Sequence, residues 1–463
     1  MASSIEEVES SQENERYLIR LPETIALLDD LVRLSPLDIM CRGRAIPMVW
    51  FYKDSLPTDA LLAALNTTLA SHQVLCGRYT SSPPYSIDPT NNGVMVTVSK
   101  SNMLLKEAIV RIPSSEADTI PHYFSLLEHE KFVPFKGEMD PDSATSEVPL
   151  LAIKITHFSE GGTAIGILVQ HGVYDGEAQT LLMKHWSQVF RGMPLDPTPD
   201  HNRCNEVAFQ LTMPPSKVFP TGCEFNSFPI GEQRHPEFAS IMPRIAGKQV
   251  CVIPFPKAAL MAIKAESMDT PLPEGQFVST DDLLVARVWK GLCEMRCRQL
   301  SLSTDCEEIT VLSRACNIRQ RTEPKLGVGY CANGAINVRT ALSVREILSM
   351  STRDVALKLR VSLIAQTPST IAAVMQLYRR EHDAGNRTRL RFDRNALTFI
   401  ISSWMFDWEE ADFRAKPICF EHGALVPVVS VFTPRPNGDG INVWLSGPQE
   451  ALEYFVRAVR MQQ

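Results

Sequence analysis

The chain has 463 residues, of which 44% are hydrophobic and 21% are charged, and its formal net charge is −7. This length is enough for two domains or one large two-lobed unit with a substantial buried core, and the mildly acidic balance excludes a general attraction to nucleic acids or acidic membranes. No uninterrupted apolar run reaches the ~20 residues of a transmembrane helix, so we expect no membrane span.

The first part of the chain alternates strand and helix patterns. Residues 1–16 are polar and acidic, without the apolar core of a signal peptide, and we expect them to be disordered. Apolar residues from Pro47 to Tyr52 predict a strand, and a helix is expected to begin near Thr58. Further strands are predicted at residues 94–98 and 149–158.

The pattern with the clearest chemical meaning spans residues 164–190. The apolar run 164–169 predicts a buried strand, and the apolar residues after Gly176 follow the spacing of an amphipathic helix. His171 and Asp175 lie in the turn between them. His171 is therefore expected at the end of a buried strand, where a rigid sheet holds a side chain still.

Spacing alone leaves two interpretations of His171 and Asp175. They are a core histidine beside a helix-capping aspartate, or a general base beside a residue that orders its loop. A neutral imidazole, with an ordinary pKa of ~6.5, can accept a proton from an attacking alcohol or amine near neutral pH. The small residues Gly172 and Gly176 suit close approach by a substrate.

The second half of the chain follows a long proline-rich segment. Residues 193–247 contain nine prolines, which break helices and central strands, so we predict a crossover between two lobes, 17–192 and 248–463. Strands are predicted at 249–253 and 309–313, and helices after Ser279 and over 343–362. Together these patterns predict an α/β (α+β) fold of two similar-sized lobes of mixed sheet and helices.

Other chemistries have little support in the sequence. The chain has no G-x-S-x-G elbow, no phosphate-binding or dinucleotide-binding glycine motif, and no H-E-x-x-H. Its eleven cysteines form no C-x-x-C pair, so we expect reduced thiols, a cytoplasmic protein and no metal site.

Several motifs, in the same order, resemble those of the BAHD acyltransferases, and the resemblance covers about residues 20–460. Leu34-Ser35-Pro36-Leu37-Asp38 resembles L-S-x-x-D, His171 to Gly176 resembles H-x-x-x-D-G, and Asn317-Ile318-Arg319 resembles the start of D-x-R-x-R. Ser402-Ser403-Trp404 is similar to T-S-W. Asp412-Phe413-Arg414-Ala415-Lys416-Pro417 stands where D-F-G-W-G-K-P belongs, one residue shorter. Similar motifs also occur at Leu75-Cys76-Gly77-Arg78-Tyr79 and Gly329-Tyr330-Cys331-Ala332-Asn333.

The resemblance implies two chloramphenicol-acetyltransferase-like lobes with a channel between them. It also implies transfer of an acyl group from acyl-CoA, the co-substrate, to a small-molecule hydroxyl or amine, with no permanently bound cofactor and no covalent intermediate. The implied catalytic residues are His171 as general base and Ser402 and Trp404 as oxyanion donors.

Other positions are expected to shape or line the site. Asp175 is expected to pair with Arg319, or with Arg321 as second choice, and to be structural at the site together with Gly176 and Asp412. Ser35, Asp38 and Gly172 are expected to contact substrate. We expect a monomer acting in specialised metabolism.

Two alternatives remain open at the level of sequence. One is a condensation-domain-like catalyst that uses a carrier-protein thioester. That group shares the lobes and an H-H-x-x-x-D-G motif, but Gln170 replaces the first histidine here. The other is a non-catalytic relative that binds a small molecule or a protein.

Overall fold

Two seven-stranded sheets form the framework of the protein. The computed structural model describes residues 5–11, 14–28, 30–80, 85–109, 119–125, 130–134, 148–203, 205–211, 225–229, 245–267, 272, 274–390, 397–422 and 429–461. This mixed α/β architecture confirms the predicted fold class.

The strands are β1 (Ile5–Ser10), β2 (Asn14–Ile19), β3 (Val32–Arg33), β4 (Ala45–Tyr52), β5 (Arg78–Tyr79), β6 (Ser86–Asp88), β7 (Val94–Ser101), β8 (His122–Ser125), β9 (Leu151–Phe158), β10 (Thr163–Gln170), β11 (Phe225–Pro229), β12 (Gln249–Pro256), β13 (Ile309–Asn317), β14 (Ala335–Ser343), β15 (Asn386–Leu390), β16 (Thr398–Ser403), β17 (Pro417–His422), β18 (Val429–Pro434) and β19 (Gly440–Gly447). The α-helices are α1 (Pro36–Cys41), α2 (Thr58–Leu69), α3 (Leu105–Ile109), α4 (Gly176–Phe190), α5 (Lys257–Ser267), α6 (Thr280–Leu300), α7 (Val344–Ser349), α8 (Thr352–Ile364), α9 (Pro368–Asp383) and α10 (Gln449–Met461).

The first sheet has the order β1-β2-β7-β9-β10-β4-β17. Strand β10 pairs antiparallel with both β9 and β4, and all eight of its residues are buried. Its continuous apolar run reflects cover on both faces, where helices α2 and α4 contribute to one core with the strands. The strand that leads to His171 is therefore the rigid interior of this sheet.

The second sheet has the order β14-β13-β16-β18-β19-β12-β8. Helix α6 packs its apolar residues into the core of this half, together with α10 and the central strands. A capping box starts α6, since the Ser279 hydroxyl accepts from the Asp282 N–H while the Asp282 carboxylate accepts from the Ser279 N–H.

Each sheet contains one strand that comes from the other half of the chain. β17 follows the second sheet's β16 in the chain but pairs with β4 in the first sheet. β8 precedes the first sheet's β9 but pairs with β12 in the second. These two pairings cross the predicted lobes, 17–192 and 248–463, whose boundaries stay a prediction, and they were not predicted because a sequence pattern identifies a strand but not its partner.

The N-terminus also differs from the prediction of a disordered segment over residues 1–16. β1 and β2 form a hairpin at the edge of the first sheet, and β2 pairs with β7. Ion pairs of 2.8 Å join Arg16 to Glu9 and Arg20 to Glu6 across the hairpin. These charged side chains face solvent on an edge strand, a position that favours charge, and they obscured the strand pattern.

The proline-rich segment is described only in part. Residues 193–203, 205–211 and β11 are described, and β11 pairs with β15. The predicted crossover over 212–224 and 230–244 lies outside the described residues. No helix in the part of the chain that the structure describes is long and apolar enough to span a membrane.

Gly166, in the middle of β10, tests how tightly this strand is enclosed. A Cβ at this position would overlap the carbonyl oxygen of Phe132, and backbone cannot yield easily. We expect Gly166→Ala to lower the free energy of unfolding by ~1–3 kcal/mol, measured by urea denaturation. Gly447→Ala is the control, because the nearest atom to its Cβ would be 3.7 Å away. Equal losses in the two variants would contradict this packing.

Candidate active site

The backbone of His171 is held on both sides at the end of β10. Its N–H donates to the Arg44 carbonyl over 2.7 Å, and its own carbonyl accepts from the Asn333 amide nitrogen Nδ2 over 2.7 Å. The same Asn333 Nδ2 donates to Asp38 Oδ1, also over 2.7 Å. Groups from both halves of the chain therefore fix the position of His171.

The imidazole of His171 is partly exposed, while its Nδ1 is buried and has no hydrogen-bond partner among the described residues. Burial lowers the pKa of His171, but the Cys41 sulfur and a backbone hydrogen bond together raise it by more, so the pKa lies above its ordinary value. Arg44 acts in the opposite direction as a nearby positive charge.

Asp175 has three structural contacts at the start of α4. Its Oδ1 accepts from the Ala178 N–H at 3.0 Å, which caps the helix. Both of its oxygens also bind the Arg319 guanidinium, each at 2.9 Å, and Oδ2 accepts from the Gly334 N–H. The predicted first-choice contact with Arg319 is present, whereas Arg321 donates to the carbonyl of Leu363.

This ion pair is almost completely buried. Burial alone raises the pKa of Asp175, but the Arg319 guanidinium and the two backbone N–H groups outweigh burial and hold it below its ordinary value. Arg319 Nη2 also donates to the carbonyls of Tyr330 and Ala332. Both terminal nitrogens of the guanidinium and both oxygens of the carboxylate thus have partners, which stabilises the two charges out of water.

The residues expected to contact substrate have other roles. Ser35 and Asp38 are fully buried and form the capping box of α1. Asp38 also lies 3.4 Å from the Arg203 guanidinium. Gly172 is buried too, and a Cβ there would lie 2.8 Å from the Asp38 carbonyl oxygen and 2.6 Å from the Tyr79 hydroxyl. These three residues pack against protein groups, and their expected contact with substrate stays a prediction.

Gly176 is required by close packing at the first turn of α4. A Cβ at this position would lie 2.6 Å from the ring of Phe406. The Phe406 ring in turn lies 6.1 Å, centroid to centroid, from that of Trp404. The segment that follows β16 therefore packs against the residues that follow His171.

Ser402 and Trp404 contact each other. The indole Nε1–H of Trp404 donates to Ser402 Oγ at 3.0 Å, and the Trp404 backbone N–H donates to the Phe432 carbonyl. The indole N–H is thus occupied, while the Ser402 hydroxyl, which is partly exposed, keeps its hydrogen for another acceptor.

Asp412 lies at the opposite end of α4 from Asp175. Its carboxylate is 3.6 Å from the Arg191 guanidinium, and the 15 residues of α4 separate the two ends by about 22 Å. The structure thus shows Asp412 beside the end of α4, and its expected structural role at the site stays a prediction. A polar pocket of about 700 Å³ opens at this end, lined by residues that include Lys184, Arg191 and Asp412.

The shortened motif after Asp412 keeps its packing role. Phe413 contacts the rings of Tyr52 and Trp186, and Tyr52 donates to the Ala411 carbonyl over 2.9 Å. Arg414 adopts a φ of 64°, a left-handed conformation that favours glycine, at the place where the similar motif has glycine.

Two further residues of the site were not predicted. Arg203 donates to the Val173 carbonyl at 2.7 Å and is buried. It lies in the proline-rich segment, where no pattern indicates an inward-facing charge. Asn333 bridges Asp38 and His171, and its place in a Gly329–Asn333 motif was the available signal.

Comparisons with known proteins identify the family of the chain. The family model described as "Transferase family" matches residues 21–461. A hydroxycinnamoyl-CoA:5-hydroxyanthranilate N-hydroxycinnamoyltransferase of Avena sativa is 24% identical over 373 residues, covering 79% of each chain. The shikimate O-hydroxycinnamoyltransferase of Nicotiana tabacum is 24% identical and covers 91% of this chain and 93% of its own.

Among solved structures, vinorine synthase is similar with a TM-score of 0.68 and 18% identity, covering 99% of this chain and 98% of its own. That likeness concerns the fold. Because the family model covers nearly the whole chain, the protein belongs to the Transferase family, the BAHD acyltransferases that its motifs resemble.

Proposed function

We propose that the protein transfers an acyl group from an acyl-CoA thioester to the hydroxyl or amine of a small-molecule acceptor, with His171 as the general base. The observation that carries this proposal is the fixation of His171. Its N–H and carbonyl are both bound while its ring is partly exposed. The relatives support the donor and acceptor classes, since one is named for a CoA thioester with an amine and another for an O-acylation.

In the proposed reaction, the acceptor oxygen or nitrogen attacks the thioester carbonyl as its proton passes to Nε2 of His171. Nδ1 is the buried edge of the ring, which leaves Nε2 for the substrate. The tetrahedral intermediate then expels the thiolate of coenzyme A by breaking the C–S bond, and the imidazolium returns the proton to that sulfur. Each proton and electron pair is accounted for without an acyl-enzyme.

The Ser402 hydroxyl is the proposed oxyanion donor, and Trp404 is the residue that orients it. The Trp404 N–H occupies one lone pair of Ser402 Oγ and fixes the oxygen, so the hydroxyl hydrogen points elsewhere. A single donor of this kind typically contributes ~10²–10³ in rate. This modifies the sequence expectation, in which both side chains were donors.

The proposal also places the protein in the cytoplasm as a monomer of specialised metabolism. Nine cysteines in the described residues are free thiols, which suits a reducing compartment. Two alternatives to this proposal are a catalyst that uses a carrier-protein thioester and a protein that binds without catalysis. The first experiment distinguishes them from it.

We expect His171→Ala to lower kcat/KM by ~10²–10⁴ without unfolding the protein. Free acyl-CoA thioesters and a panel of alcohols and amines are incubated with the enzyme, and products and released coenzyme A are measured by mass spectrometry. His157→Ala is the control, because that histidine lies on β9 and bonds Thr58. Near wild-type turnover by His171→Ala would refute the base. Turnover that requires a carrier protein would refute the acyl-CoA donor.

Asp175→Ala is expected to lower both stability and rate. It leaves the buried Arg319 charge without its carboxylate, which costs about 3–5 kcal/mol in the free energy of unfolding. Asp305→Ala breaks an exposed 2.6 Å pair with Arg345 and should cost about 0–1 kcal/mol. Denaturant titrations measure both variants. Unchanged stability together with lost activity would argue instead for a direct catalytic role of Asp175.

The pH profile should report the imidazole of His171. A base acts when neutral, so kcat/KM should rise with pH through the pKa of His171, which lies above its ordinary value. Cys41→Ala removes a group that raises this pKa, and the acidic limb should move to lower pH. Cys419→Ala, a buried cysteine on β17, is the control. An acidic limb unchanged by Cys41→Ala would show that the sulfur does not act on His171.

A further inference from the structure

A second group of side chains, two histidines and a cysteine, brings possible metal ligands together outside the site of His171. His72 follows α2, His201 lies in the crossover, and Cys331 lies in the loop before β14. One ligand atom from each of them lies within 4.8 Å of the others. His72 and Cys331 are fully buried and His201 is partly exposed. No sequence pattern indicates this group, because 129 and 130 residues separate its members.

Hydrogen bonds determine which nitrogens carry protons. His185 Nε2 lies 2.8 Å from the Pro197 carbonyl, which can only accept, so this nitrogen carries the hydrogen and Nδ1 has the lone pair. His72 Nε2 must then donate to His185 Nδ1 over 2.9 Å, and His72 Nδ1 accepts from the Tyr174 hydroxyl over 2.7 Å.

Both of these rings are neutral. Burial, reinforced by His201 and His185, holds the pKa of His72 well below its ordinary value. Burial also lowers the pKa of His185 to about 4. Neutral imidazoles are the form that binds metal ions.

His201 has the arrangement of a histidine ligand. Its Nε2–H donates to the Ser71 carbonyl over 2.7 Å, which places the lone pair on Nδ1. That Nδ1 is buried and has no hydrogen-bond partner among the described residues. Histidines that bind metals usually donate their other N–H to a carbonyl or carboxylate, and this contact fixes the ring.

We propose that His72, His201 and Cys331 form a binding site for a zinc-class divalent cation. Imidazole nitrogen and thiolate sulfur are the donors that zinc prefers, at about 2.0–2.1 Å and 2.3 Å. His72 already has a lone pair on Nδ1 and needs only that the Tyr174 hydroxyl turn away. Alternatively, its proton can move to Nδ1 and be donated to the tyrosine oxygen, which frees Nε2.

Cys331 supplies the proton that the ion displaces. Burial raises the pKa of its thiol, and because the thiolate is the form that coordinates, binding of an ion releases one proton to solvent. Arg203 and Arg319 both act to lower that pKa, so the surroundings favour the thiolate once burial is offset by an ion.

The site would connect three separate segments of the chain. His72 belongs to the first half, His201 to the crossover, and Cys331 lies two residues before Asn333, which holds the carbonyl of His171. A bound ion would therefore stabilise the folded protein, by an amount that rises with the logarithm of the ion concentration divided by its Kd.

The test uses the full-length chain without a histidine tag, kept reduced, stripped with a chelator and titrated with Co²⁺ alone. We expect one Co²⁺ per chain, with thiolate-to-cobalt charge-transfer absorption and tetrahedral d–d bands. Zn²⁺ should abolish these bands and raise the melting temperature. The absence of charge-transfer absorption in the wild-type protein would overturn the proposal.

Matched variants assign the ligands. Cys331→Ala should remove the charge-transfer absorption, and His201→Gln, which can still donate to the Ser71 carbonyl, should weaken Co²⁺ binding at least tenfold. Cys251→Ala, at an equally buried cysteine in β12, should bind like the wild type. If Cys331→Ala does not fold, His201→Gln alone decides the outcome. Wild-type affinity in either ligand variant would refute the site. These readouts do not depend on acyl transfer.

Discussion

The buried ion pair between Asp175 and Arg319 is the interaction on which the site geometry depends. Charges removed from water persist only when hydrogen bonds satisfy them, and here the carboxylate accepts from Ala178, Gly334 and both guanidinium nitrogens. The same carboxylate caps α4, so one side chain sets both the start of the helix and its attachment to the second half of the chain. His171, four residues earlier, is therefore fixed relative to both sheets.

Helix α4 is held by the second half of the chain at both ends, but by contacts of different kinds. At the start of the helix, the ion pair between Asp175 and Arg319 is buried and bidentate. At its end, Arg191 and Asp412 are 3.6 Å apart, and each side chain is about a quarter exposed. An exposed pair of this kind contributes at most about 1 kcal/mol, so the attachment there comes mainly from Phe413 against Trp186. This explains why the shortened motif after Asp412 can lose glycine and tryptophan while the packing survives. Strands β8 and β17, each of which pairs in the sheet of the other half, also join the two halves of the chain.

The sequence patterns correctly predicted the structural features that depend on residues close together in the chain. The buried run before His171, the amphipathic helix after it and the cap of α6 are all present, and the pairing of Asp175 with Arg319 followed from motif order. The single helix expected over 343–362 is instead α7 and α8, because the Ser351 hydroxyl accepts from the Asp354 N–H and starts a new helix. Partners distant in sequence were not predictable. The sequence pattern of β17 does not indicate that it pairs with β4. Likewise, the sequence near Asp38 does not indicate that Arg203 and Asn333 contact it. Asp38, a motif residue expected to contact substrate, is thus surrounded by protein groups.

The loop from Tyr330 to Gly334 concentrates these distant partners. Its carbonyls accept from Arg319, its Asn333 amide holds the carbonyl of His171, and its last N–H binds Asp175. Gly334 is required there, since a Cβ would lie 2.6 Å from the Arg319 guanidinium. Cys331, in the middle, points instead toward His72 and His201. Successive residues of one short loop therefore face the reaction side and the histidine cluster in turn. The proposed metal site and the contact that holds the carbonyl of His171 therefore lie on one short loop, with Cys331 two residues before Asn333.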